Sequence, residues 1–138
     1  MSSTPLPLPL TVLSVARLGI GTSAFLFPSL TTNLLFFPQP TSSPGSLFNV
    51  RAWASRDALL AGLLYTAKTP EAAKRAVIAG AVVDALDIAG AAWGFGKGEL
   101  EGLAAAAFSG GAIAFLALAT VGWRVGGLGM VGRAVRKS

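Results

Sequence analysis

Four long apolar stretches divide the chain, each close to the length of about 20 residues that a helix needs to cross a bilayer. The stretches run over about 8–27, 47–67, 74–95 and 101–122. Between them lie segments rich in proline, glycine and serine, QPTSSPGS at 39–46 and GFGKGE at 94–99, which are typical of loops and turns. The pattern predicts an all-α protein, a four-transmembrane-helix bundle that forms one integral membrane domain over residues 1–138.

Prolines and turn residues set the predicted helix limits. Pro28 ends the first span, and SLTTNLLFF at 29–37 predicts a short interfacial helix after it. Thr-Pro-Glu at 69–71 gives the third span a cap residue, a proline in the first turn and an acid near its N-terminus. The basic, glycine-rich segment 125–138 is predicted to be a flexible tail.

Composition agrees with a lipid environment. Charged residues make up 12% of the chain and hydrophobic residues 53%, whereas an ordinary soluble domain is about 25% charged. The chain has too few polar groups to cover a soluble surface. It also has neither cysteine nor histidine, which removes disulfides, thiolate catalysis and the usual zinc and haem ligands. We therefore predict no metal site and no organic cofactor.

The distribution of basic residues predicts the topology. Seven cations flank the spans on the side shared by both termini and the loop between spans two and three: Lys68, Lys74, Arg75, Arg124, Arg133, Arg136 and Lys137. The other two loops hold only Lys97, beside Glu99 and Glu101. Because basic residues favour the cytosolic side, both termini are predicted to be cytosolic. The cations are not gathered with aromatic residues into a patch, so no nucleic acid partner is predicted.

Charged residues inside the spans are the main functional signal. Span one holds Arg17, span two holds Arg51, Arg56 and Asp57, and span three holds Asp84 and Asp87. At 1.5 Å per residue, five of the six fall near mid-bilayer, with Arg51 a turn or so shallower. A lone charge there costs about 2.5–3.5 kcal/mol. The three arginines and three aspartates are therefore predicted to meet inside the bundle.

Paired carboxylates beside arginines have two interpretations. A buried ion-pair network can fix helix register without doing chemistry. Alternatively, one aspartate paired with arginine stays ionised while a less compensated one holds a proton, which sets a base beside an acid. The candidate catalytic residues are Asp57, Asp84, Asp87, Arg56 and Arg17, and which aspartate is the acid stays open.

Other polar and aromatic residues are candidate substrate-binding residues: Arg51, Trp53, Tyr65, Asn49 and Glu101. Trp53, one turn before the aspartate of span two, can wall a pocket. Tyr65 can hydrogen-bond a ligand or belong to the interfacial aromatic belt. Asn49 lies near the mouth or caps its helix, and Glu101 can pair with Arg51 or line the way in.

Small residues recur every fourth position in the last two spans, as in Ala81, Ala85 and Ala89 or in Ala107 and Gly111. This spacing lets helix backbones approach closely in lipid. It predicts a tight bundle and allows a homodimer through these faces without selecting one.

The stretches ARLGIG with Arg17, RAWASRD over 51–57 and VVDALD over 82–87 resemble a family of small fungal four-helix membrane proteins of unknown function, over roughly residues 10–120. Some proteins of this general kind accompany polyketide or terpenoid pathways, in which tiny membrane proteins act as cyclases or epoxide-opening hydrolases. The resemblance implies a role in secondary metabolism and, with no other address in the chain, the endoplasmic reticulum. Residues 1–9 contain no basic residue, so we expect a retained first helix rather than a cleaved signal.

A soluble class of epoxide hydrolases uses an Asp–Arg–Asp arrangement, in which one carboxylate activates water, the arginine positions it and a carboxylic acid protonates the epoxide oxygen. By similarity of role, Asp84 or Asp87 would be base or acid, Asp57 their partner, and Arg56 or Arg17 the organiser. The leading hypothesis is a membrane-embedded acid–base hydrolase or cyclase with a lipophilic substrate. A small proton-coupled carrier and a structural membrane subunit are the alternatives.

Overall fold

A computed structural model describes residues 5–36 and 44–128, and over these residues the chain is all-α, as predicted. Its five helices are α1 (Leu8–Leu26), α2 (Pro28–Leu34), α3 (Pro44–Tyr65), α4 (Pro70–Gly96) and α5 (Gly102–Val125). Among the described helices, α1, α4 and α5 are long and apolar enough to cross a membrane. The 22-residue α3 is as long as a membrane span, but its three charged residues set it apart from these three.

The helix ends follow the proline and cap signals closely. The Thr69 hydroxyl accepts a hydrogen bond from the Ala72 amide at 3.1 Å, and Pro70 occupies the first turn of α4. This cap starts α4 four residues before the predicted span. Pro44 likewise lies at the start of α3, so residues 44–46 are helical and not part of the predicted loop. The rest of that loop and the tail from 129 onwards lie outside the described residues.

The four long helices form a ring in which each packs against two antiparallel neighbours. α1 lies along α3 and α5, and α4 lies along α5 and α3, so that α1 and α4 face each other across the bundle. α1 and α3 approach closely at Gly21, where a Cβ would lie 2.7 Å from both the Ala54 carbonyl oxygen and the Ala58 amide nitrogen. Only glycine fits there.

The two ends of the ring differ in what they contain. The terminal end holds the start of α1, the α3–α4 connection and the end of α5, and the loop end holds α2 and the α4–α5 turn. Seven buried residues pack together in the terminal half and form the apolar cluster: Leu10, Leu13, Leu64, Ala73, Val77, Ala119 and Leu128. The outward faces carry exposed large apolar side chains such as Leu86, Ile113 and Val121. These surfaces suit contact with a lipid bilayer.

Candidate functional site

Arg17 joins all four long helices at one point. It lies at the middle of α1, nine residues from each end, and its side chain is only 3% exposed. One guanidinium nitrogen, Nη1, donates to Asp57 Oδ1 of α3 at 2.9 Å, and Nη2 donates to Asp84 Oδ2 of α4. The flat face of the guanidinium lies 4.5 Å from the centre of the Phe115 ring of α5. Arg17 is therefore held by two carboxylates and an aromatic ring, one from each of the other long helices.

A second ion pair lies beside the first. Arg56 binds Asp87 in a bidentate pair, with Nη1 to Oδ1 at 3.1 Å and Nη2 to Oδ2 at 2.8 Å. The same Nη2 lies 3.9 Å from Asp57 Oδ1, which links the two pairs. The side chains of Arg56 and Asp87 are 35% and 16% exposed, against 3–4% for Arg17 and Asp57. The outer pair is thus the more accessible one, and the inner triad is closed off by the helices.

The prediction that charges from three helices meet is confirmed for five of the six residues. Arg51 is the exception, because its side chain is exposed and its Nε donates to the Phe25 carbonyl oxygen of α1 at 3.4 Å. Three carboxylates therefore meet two guanidinium groups, and the expected charge balance is wrong. The cluster carries one excess negative charge unless it binds a proton.

A cavity of about 70 Å³ adjoins the cluster in the loop half of the bundle. Asp57, Asp84 and Asp87 all line it, together with Trp53 of α3, Leu35 just after α2, and apolar residues of α1 and α5. Two lining residues at its margin, Ile20 and Gly111, are exposed, so the cavity reaches the outer surface. A space of this volume with carboxylates in its wall can hold a few water molecules or the end of a larger molecule.

Trp53 lines this cavity and has an unpaired buried donor. Its indole Nε1 is buried and has no acceptor among the described residues. The Trp53 ring, which lines the cavity, packs at a 45° tilt against Phe108 with 5.7 Å between ring centres. A buried N–H without an acceptor costs about 1–3 kcal/mol. A ligand oxygen that accepts a hydrogen bond from Trp53 Nε1 would remove this cost.

The other predicted binding residues lie away from the cavity. Asn49 and Tyr65 are exposed on α3, and Tyr65 is its last residue, about 12 Å along the axis from Asp57. Glu101 is exposed at the N-cap of α5. The structure brings none of these three into the wall of the cavity.

Apolar residues are what the sequence interpretation missed. Ile20, Leu35, Phe108 and Phe115 all line the cavity. They stand in apolar segments where nothing distinguishes them from neighbours that face lipid. A sequence signal could have indicated only Phe115, because its depth along its span brings it level with the central Arg17.

The residues that the structure describes contain no group of three or more acidic, histidine or cysteine side chains arranged to hold a metal ion. The carboxylates that do come together are bound to arginines. Comparisons with protein-family models, with curated proteins and with solved structures gave no match to this chain. The likeness to the fungal four-helix family therefore stays a prediction, and function has to be argued from the site.

Proposed function

We propose that this protein is a membrane-embedded acid–base enzyme that opens an epoxide in a lipophilic metabolite, as a hydrolase or a cyclase. In this proposal α3 is the fourth membrane span and both termini are cytosolic. α3 qualifies despite its charges because Asp57 and Arg56 face partners on other helices, which removes most of the cost of placing them in lipid.

One observation carries the proposal: Arg17 bridges two carboxylates from different helices, and both carboxylates line the same cavity. Arg17 binds only one oxygen of each, Oδ1 of Asp57 and Oδ2 of Asp84. The second oxygen of each carboxyl is left for a water molecule or a substrate. This order of groups is similar to the Asp–Arg–Asp arrangement of the soluble epoxide hydrolases, and it sets a candidate base and a candidate acid at one cavity.

The unequal surroundings of the two carboxyls suggest their roles. Asp57 faces two guanidinium groups, Arg17 at 2.9 Å and Arg56 at 3.9 Å, and is assigned as the ionised base. Asp84 shares only Arg17 and is assigned as the acid that holds the extra proton of the cluster. Asp87, with both oxygens bound to Arg56, serves to position that arginine.

The reaction then follows with its protons balanced. Asp57 takes a proton from water, or from a hydroxyl of the substrate in a cyclase, while that oxygen attacks an epoxide carbon. The carbon–oxygen bond of the epoxide breaks, and Asp84 gives its proton to the departing oxygen. Transfer of the proton from Asp57 back to Asp84 restores the starting state, with a diol or a cyclic ether as product.

The cavity limits what can bind. At about 70 Å³ it is smaller than the roughly 300–1,000 Å³ of a site that encloses a drug-sized ligand. Only the reacting end of a long substrate fits inside, and the remainder lies among the apolar side chains at the cavity margin and in lipid. Trp53 can donate its free N–H to an oxygen of this reacting end.

A structural membrane subunit is the second candidate, and a specific observation favours it. Each of the three carboxylates in the cluster already binds an arginine, as expected of a network that only fixes helix register. A proton-coupled carrier has less support, because the apolar cluster lies between the carboxylates and the terminal end.

Turnover by matched aspartate variants tests the proposal. Purified protein is incubated with a panel of lipophilic epoxides in isotope-labelled water, and diols and cyclic ethers are measured by mass spectrometry. We expect Asp57→Asn and Asp84→Asn each to lower turnover by about 10²–10⁴-fold, while the thermal stability stays near that of the wild type because either change neutralises the cluster. Asp87→Asn is the control, with a loss below about tenfold, since Asp87 acts through Arg56.

Two results would contradict the enzyme. One is no product from the wild type across the panel, and the other is full activity in both Asp57→Asn and Asp84→Asn. A structural subunit predicts instead that these two variants lose stability and that no turnover exists to be lost.

A further inference from the structure

An open groove with a volume of about 420 Å³ lies between α4 and α5 in the terminal half of the bundle. We call it the α4–α5 groove and define it by six of its residues: Ile78, Ala81, Ala85, Leu116, Ala119 and Trp123. The alanines leave room for it because their side chains are short. It lies on the outside of the ring and is separate from the cavity beside Asp57.

The groove is apolar along its length. Thr120 lines it, but the Thr120 hydroxyl donates to the Leu116 carbonyl oxygen of its own helix at 2.8 Å. No ionised side chain other than Arg124 lines it among the described residues. The groove is therefore suited to a hydrocarbon chain over most of its length and to a polar group at one end only.

Two cations stand at that end. Arg124 lines the groove and is exposed. Lys74, one turn before Ile78 on α4, holds its ammonium nitrogen 5.5 Å from the centre of the Trp123 ring. Glu71 is the one acidic residue on this side of the two helices, where Lys68 and Arg75 add further positive charge. The terminal end of the groove is thus positively charged and carries a tryptophan of the kind found at membrane interfaces.

The length of the groove agrees with one membrane leaflet. Its residues extend over 77–85 on α4 and over 116–124 on α5, which is about 12 Å along each axis. Half of a hydrocarbon core of about 30 Å is about 15 Å. A chain lying in the groove would run from the level of the cations nearly to mid-membrane.

From this arrangement we infer that the α4–α5 groove binds an anionic phospholipid, with an acyl chain along the alanines and the phosphate between Lys74 and Arg124. Basic pockets between membrane helices bind anionic head groups in this way. A second copy of this chain fits less well, because a symmetric contact through the groove would bring the two pairs of cations together at the same depth. The inference does not depend on the proposed enzymatic activity.

Native mass spectrometry of the purified chain in detergent tests the inference. Phosphatidylserine and phosphatidylcholine with identical acyl chains are added in competition, and the lipid retained by the protein is counted. We expect the wild type to prefer phosphatidylserine by about 30-fold, the effect of two cations near a head group. The double variant Lys74→Gln/Arg124→Gln should lose most of this preference.

Matched variants separate the groove from general surface charge. Lys68→Gln/Arg75→Gln removes the same charge from the same end but outside the groove, and it should keep the preference. Ala85→Phe fills the groove at an exposed position and should lower retention of both lipids, whereas Ala79→Phe, exposed on α4 but outside the groove, should not.

Three results would overturn the inference. They are equal retention of the two lipids by the wild type, an equal loss of preference in both double variants, and a wild-type dimer that Ala85→Phe dissociates. The last result would identify the groove as a contact between two copies.

Discussion

The two halves of the bundle use the same four helices but hold them together differently. In the terminal half, aliphatic side chains interlock, and Leu10 of α1 occupies the space that any side chain at Gly122 of α5 would need. In the loop half, Arg17 and Arg56 tie three aspartates together, and a cavity remains beside them. The first half is packed by apolar side chains up to an open pocket of about 250 Å³ at the terminal end, and the second half contains a cavity with charged groups in its wall.

The difference means that the terminal half mainly stabilises the bundle, whereas the loop half forms the candidate site. In lipid, helix association depends on close packing rather than on release of water, and the terminal half supplies that packing. Ion pairs between buried groups are directional and cannot collapse into a neighbouring void without losing partners. They can therefore keep polar oxygens at the wall of a cavity, which the apolar half could not do.

The largest effect is expected from Arg17→Met. Methionine has a similar length but leaves Asp57 and Asp84 buried without their shared cation, which costs about 3–5 kcal/mol when a buried pair is broken. Unfolding in detergent, followed by circular dichroism, measures the loss. The triple variant Arg17→Met/Asp57→Leu/Asp84→Leu should recover most of it. A single variant as stable as the wild type would show that the ion pairs do not hold the loop half.

The next largest effect is expected from substitutions of two glycines on α5, which compare the packing of the two halves. Gly122→Ala should lower the free energy of unfolding by about 1–3 kcal/mol, because its Cβ would overlap the buried Leu10 side chain. Gly111→Ala should leave it unchanged or raise it by up to about 1 kcal/mol, since nothing lies within 4 Å of a Cβ there. Equal effects of the two changes would mean that the halves are packed alike.

Trp53→Phe is expected to weaken substrate binding while leaving the stability of the protein nearly unchanged. The change removes a buried N–H that has no acceptor, so the free energy of unfolding should stay within about 1 kcal/mol of the wild type. If the N–H binds a substrate oxygen, KM for a lipophilic epoxide should rise about tenfold, the effect of one hydrogen bond. A large loss of stability with an unchanged KM would assign Trp53 to packing alone.

The smallest effect is expected from Arg51→Gln. Arg51 is exposed, and its hydrogen bond to the Phe25 carbonyl oxygen is long at 3.4 Å. The free energy of unfolding should change by less than about 0.5 kcal/mol, and turnover should be unaffected. Arg56→Gln is the comparison. It should lower the free energy of unfolding clearly more, because it leaves Asp87 unpaired. Equal losses of stability and turnover in the two variants would mean that Arg51 also contributes to the site.

Depth along the helices was enough to predict the cluster. Counting residues from the span ends brought Arg17, Asp57 and Asp84 to one level, and the cost of unpaired charge in lipid then required them to meet. The same count could not decide Arg51, because position 51 is rotated by about 140° around α3 from position 56, and its side chain binds the Phe25 carbonyl oxygen rather than the buried cluster. Pairing depends on helix rotation as well as on depth.

The cavity could not be predicted from the sequence, for a different reason. Its apolar walls come from several helices, and an inward Phe115 has the same chemistry as an outward Ile113. In soluble proteins polarity distinguishes the two faces of a helix, whereas in lipid both faces are apolar. Helix starts were easier, since Thr69 and Pro70 act on the backbone locally.

The unequal lengths of α1 and α4 have a consequence for the thickness of the membrane that suits this protein. The 19 residues of α1 extend about 28 Å and the 27 residues of α4 about 40 Å. A hydrocarbon core near 27 Å matches the length of α1, whereas α4 would tilt or extend beyond it by roughly two turns. In a thicker bilayer, hydrophobic mismatch would therefore strain α1 before α4.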